Sequence, residues 1–135
     1  MSFGFPRAPT LRVVEGYQLQ AAGYEWDAVR VPSNIGQWAL AALGESSGAV
    51  IEDPHERVLY WFVAQGATAE WDIPEIRLLG RAQYLVVPER GRLRGPGPHW
   101  HNGLEARVML TNAAALCSAL TIGVSAHRRI CTGTQ

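Results

Sequence analysis

The sequence predicts a small α+β domain in which about three helices flank a mostly antiparallel sheet. Three observations lead to that class. Apolar residues recur at helical spacing in residues 10–23, 33–44 and 111–122. Between the second and third stretches, short runs rich in valine, leucine and aromatics alternate with turn residues, as hairpin strands do. With 135 residues and 47% hydrophobic content, the chain suffices for one core and one domain.

Taken in order, residues 1–9 read as a flexible arm, because FGFPRAP breaks any regular pattern. A helix is expected over residues 10–23, with Leu11, Val14, Leu19 and Ala22 on one stripe. WDAVRVP alternates as a strand and stops at Pro32. Ser33 is placed to cap a second helix whose stripe is Ile35, Trp38, Ala39, Ala42 and Leu43, with Gly44 as its stop. GAVIED and RVLYWFV, joined by DPHE, predict a hairpin, and IRLLG and QYLVVP around Gly80-Arg81 predict a second. ERGRLRGPGP is an open basic loop leading into a short strand, HWH. Thr111 is expected to cap the last helix, with Ala113, Leu116, Cys117 and Leu120 on its stripe. Residues 10–122 thus form the domain, and residues 123–135 read as a frayed tail.

Composition narrows the function classes. No apolar run approaches the ~20 residues of a membrane helix, so no membrane partner is expected. The start MSFGFPRAPT lacks the basic and apolar segments of a signal peptide, which makes the cytoplasm the expected location. Cys117 and Cys131 are too few for a disulfide framework and read as reduced thiols. Net charge is zero, yet residues 1–75 carry −6 and residues 76–135 carry +6. All 12 basic residues are arginine, a planar fork suited to carboxylate or phosphate. Opposite charges in the two halves also allow self-association or a protein partner.

The order of a helix, AAGYEWDAVRVP, VLYWFV and then IRLLGRAQYLVVPERGRLRGPGPHW resembles the N-terminal primase-polymerase domain of bacterial mobile-element replication proteins, best over residues 57–100. The chain is also similar, more loosely, to small actinobacterial proteins. The resemblance implies that Leu59, Tyr60 and Trp61 match the strand after the family's nucleotide-contacting histidine. It likewise implies that Arg77 to Gly80 match the strand edge before the phosphate-facing loop, and Tyr84 to Pro88 the "YVVAP" strand. Two departures bear on activity. The family's catalytic acids stand one residue apart so that both face one way and hold divalent metal, whereas Glu52 and Asp53 are adjacent and point to opposite faces of a strand. Val58 occupies the family's histidine position, with His55 displaced into the turn. A catalytically silent relative is the expectation, more a binding domain than an enzyme.

Three candidate sites follow. Arg77, Arg81, Arg90, Arg92 and Arg94, with Trp100 for stacking, are expected to contact an anionic partner such as nucleic acid or a nucleotide. No helix-turn-helix, zinc-finger or RNP pattern accompanies them, and GRLRGPG lacks the lysine of a P-loop. His99, His101 and Glu105 have the spacing His-x-His-x3-Glu, which resembles the first metal motif of cupins and points to a divalent transition metal in a small metalloenzyme, with His127 as a further ligand. The competing reading places Trp100 inward and both histidines in solvent. The turn EDPHE, with Glu52, Asp53, His55 and Glu56, is a third candidate, for a hard cation. Apart from these metals, no cofactor is expected.

Overall fold

A computed structural model of the chain describes residues 10–12, 16–101 and 108–132. Their order is β1 (Thr10–Arg12), β2 (Tyr17–Ala21), β3 (Asp27–Pro32), α1 (Ser33–Leu43), a 3-10 turn (Gly44–Ser46), β4 (Val50–Asp53), β5 (Val58–Val63), β6 (Arg77–Leu79), β7 (Tyr84–Pro88), β8 (His99–Trp100) and α2 (Ala113–Thr132). The α+β class holds, and the described residues form two antiparallel sheets where one was expected and two helices where about three were. One sheet has the order β6-β3-β5-β4-β8 and the other β1-β2-β7. Because β3 and β4 both run antiparallel to β5, they are parallel to each other, and α1 makes the crossover between them.

Strand β5 shows why the layers form. All its side chains are buried, and their alternation feeds two cores. Leu59, Trp61 and Val63 join Val29, Val31 and Val50 beneath Ile35 and Ala39 of α1 and Leu116, Leu120 and Val124 of α2. Val58, Tyr60 and Phe62 face the other way, onto Leu85 and Val87 of the small sheet and onto Trp26. Helices, large sheet and small sheet are therefore three stacked layers.

Several expectations are corrected. Residues 10–12 and 17–21 form strands, not a helix. Gly16, at φ 92°, breaks the run, and residues 17–21 pair along their whole length with β7. The strands expected to make a second hairpin, β6 and β7, lie in different sheets: β6 pairs with β3 and β7 with β2. The first expected hairpin is present, with Asp53 opposite Val58. Ser33 provides no side-chain cap. At α2 the cap is Asn112, whose Oδ1 accepts the Ala115 N–H at 2.9 Å, while Thr111 Oγ1 accepts the Gly48 N–H at 2.8 Å. The final helix runs past residue 122 to Thr132, because Gly123 is a packing residue. A Cβ there would lie 2.9 Å from the Ile35 carbonyl oxygen, so its absence lets α2 approach α1. The arm expected over residues 1–9 lies outside the described residues. No described helix is long and apolar enough to cross a membrane.

Candidate functional site

The acidic turn organises one end of the large sheet. Asp53 Oδ1 accepts the N–H groups of His55 and Glu56 at 3.1 and 3.2 Å, and the Arg57 N–H returns to the Asp53 carbonyl at 2.8 Å. This is the local bonding that aspartate favours in turns. Asp53 is thus occupied by backbone, Glu56 pairs with Arg30 at 3.4 Å, and Glu52 is directed to the far side of β4. The four residues expected as a hard-cation site are dispersed.

Arg30 is the residue that sequence reasoning undervalued. Within the ladders it stands opposite both Tyr60 and Arg77. Its guanidinium carbon lies 5.9 Å from the Tyr60 ring centroid. Two arginines directly opposed on one face repel each other. Glu56 offsets part of that charge, but the pair is partly exposed and screened. Burial pushes the Tyr60 hydroxyl above its usual pKa, Arg30 and Arg77 oppose the rise, and Asp53 and Glu56 add to it.

The arginine loop is pinned rather than loose. The Glu89 N–H reaches the Gly16 carbonyl at 2.8 Å, the Trp100 N–H reaches the Arg92 carbonyl at 2.9 Å, and the Tyr17 hydroxyl donates to the Pro98 carbonyl at 3.0 Å. Arg92 lies 4.8 Å over the Tyr17 ring, and its Nε is buried without a hydrogen-bond partner. Arg90 and Arg94 are exposed, and among the described residues neither has an acidic partner. A Cβ at Gly95 would lie 3.7 Å from Pro54 Cγ, so the loop rests on the acidic turn that also holds Arg30. Arg30 and the loop carrying Arg90, Arg92 and Arg94 therefore border the same turn, and Arg77 lies one strand beyond Arg30, on the β6 edge. Arg81 does not join them: it stacks 4.8 Å over Tyr24, and the five residues of β7, about 17 Å of strand, separate it from the loop. Trp100 is no stacking platform either, because its ring packs at 6.0 Å from Phe62. The tryptophan with the widest exposure, Trp38 at 43%, belongs to the helix layer, away from these arginines.

The histidines meet an unforeseen partner. Strand β8 pairs with β4 so that His99 stands opposite Glu52. Glu52 Oε1 lies 3.1 Å from His101 Nδ1 and 3.6 Å from His99 Nε2. The side chain of His99 is 12% exposed, so the solvent-facing reading fails for it, while His101 is 35% exposed. The acceptor-only carbonyl of Gly97, 2.9 Å from His99 Nδ1, places a proton on that nitrogen. Glu105 lies outside the described residues. His127 is on α2, in the helix layer. Among the described residues, no three His, Cys, Asp or Glu side chains already enclose an ion position. Nothing in the sequence pairs β4 with β8, so the partnership of Glu52 with the histidines had no local signal.

No family model matches the chain, and neither the curated proteins nor the solved structures compared with it yield a match.

Proposed function

We propose that this chain is a non-catalytic binding or regulatory domain, related to the primase-polymerase fold, that contacts a nucleic acid or nucleotide through its arginine-bearing end. The observation that carries this reading is the opposition of Arg30 and Arg77 on one face, together with the exposed Arg90 and Arg94, which have no acidic partner among the described residues. A cross-strand arginine pair costs stability unless an anion offsets it, and phosphate oxygens suit the guanidinium fork. Arg92, laid on Tyr17, fixes the loop from which Arg90 and Arg94 reach outward. The absence of catalysis is argued from Glu52 and Asp53, whose side chains leave opposite faces of β4 and find separate partners. They cannot jointly hold the metal that phosphoryl transfer needs.

The test is fluorescence anisotropy of a labelled single-stranded oligonucleotide across a salt series. Affinity is expected to fall steeply with salt, as counterion release requires, and the slope to flatten in an Arg77→Ala/Arg90→Ala/Arg94→Ala variant. A response independent of salt, or no binding at low salt, overturns the proposal.

A further inference from the structure

We infer that Glu52, His99 and His101 bind a divalent transition-metal ion at the β4–β8 edge of the large sheet. The inference is independent of the anion-binding surface, which lies on other side chains. It begins with convergence: residues one apart on a strand share a face, so His99 and His101 both turn toward β4, where Glu52 is in register with His99. One carboxylate oxygen then stands 3.1 and 3.6 Å from a nitrogen of each ring. Bonds of about 2.0–2.1 Å in a tetrahedral site set its ligand atoms about 3.3 Å apart, and the two observed separations bracket that edge.

The orientation of His99 strengthens the case. With Nδ1 held 2.9 Å from the Gly97 carbonyl, the His99 ring is turned so that Nε2 faces the Glu52 carboxylate. Holding the remote nitrogen of a ligating histidine on a backbone carbonyl is how metal sites orient the ring. The set is not closed as it stands. His101 Nδ1 is hydrogen-bonded to Glu52 Oε1 at 3.1 Å, and closing the set would exchange that bond for the ion. The other two ligands are on paired backbone, and Trp100 between the histidines is held by two hydrogen bonds. Two imidazoles and one carboxylate favour zinc, cobalt, nickel or copper over magnesium or calcium, and three protein ligands leave a fourth position for water.

The test uses the full chain, purified without a histidine tag, stripped with chelator and titrated with cobalt(II) by absorbance and with zinc(II) by calorimetry. We expect about one ion per chain and a tetrahedral cobalt spectrum, with affinity reduced roughly tenfold or more in His99→Ala and Glu52→Gln. His55→Ala, in the neighbouring turn, is expected to bind as the parent does. Absence of stoichiometric binding, or equal binding by the parent and both ligand variants, overturns the proposal. So does nitrogen NMR in which added zinc leaves the ring resonances of His99 and His101 unchanged.

Discussion

Trp100 donates its indole N–H to the carbonyl oxygens of both Pro88 and Glu89, at 3.0 and 3.1 Å, and so ties the last strand of the large sheet to the end of the small one. The ring itself sits between the sheets against Phe62. Trp100→Phe keeps the apolar contact and loses the donor, for an expected cost of about 1–2 kcal/mol. Trp100→Ala also leaves a cavity and is expected to cost about 3–5 kcal/mol. Denaturant titration of the two variants checks the difference, and equal losses would contradict the role of the N–H.

Gly36 packs on the large sheet so closely that a Cβ there would meet Leu59 Cδ1 at 2.5 Å and Cγ at 3.1 Å. Leu59 is fully buried and has little room to yield. Gly36→Ala is expected to destabilise by about 1–3 kcal/mol despite the better helix propensity of alanine. A rise in the denaturation midpoint would contradict this packing.

The loop that presents Arg90 and Arg94 depends on Gly97. A Cβ there would lie 2.6 Å from the Tyr17 hydroxyl, which donates to Pro98. Gly97→Ala is expected to displace Tyr17 and with it the platform under Arg92, weakening oligonucleotide binding severalfold. Anisotropy on a variant whose circular dichroism matches the parent's tests this, and unchanged affinity would detach the loop from binding.

Glu56 competes with any incoming anion for Arg30. Glu56→Gln should therefore tighten oligonucleotide binding by about two- to fivefold, while stability changes by no more than ~1 kcal/mol, as for a partly exposed pair. Weaker binding by the variant would place Arg30 outside the contact surface.

Tyr60 links stability to alkaline pH. Burial raises its pKa in the folded chain above the unfolded value of about 10, so folding favours the protonated phenol. That stabilisation is fully present below the unfolded pKa and is lost as pH rises through the folded one. Denaturation midpoints for the parent are expected to fall more steeply above pH ~10 than those of Tyr60→Phe. Parallel profiles would contradict the shift.

Parts of this architecture are legible in the sequence because they are local. The DPHE turn is readable from Asp53 and Pro54, and β5 from its unbroken apolar run. Pairing between distant segments is not. Tyr17–Ala21 carries a pattern that fits a helix stripe until β7 is known to lie beside it. Gly80-Arg81 looks like a hairpin turn, yet the chain crosses there from one sheet to the other. The same holds at the candidate sites. His99 and His101 can be found from spacing, and Arg90, Arg92 and Arg94 from composition, but Glu52 and Arg30 gain their roles only through strand register.

Strand β5 has the make-up of a segment that stacks into fibrils: β-branched and aromatic side chains, no charge and no proline. Its place, third of five, gives both backbone edges to β3 and β4, and the sheet ends outside it in strands of only three and two residues. Such short borders offer little for another chain to extend. Solubility is thus tied to sheet integrity, and any lesion that opens β3 or β4 should be met first as aggregation.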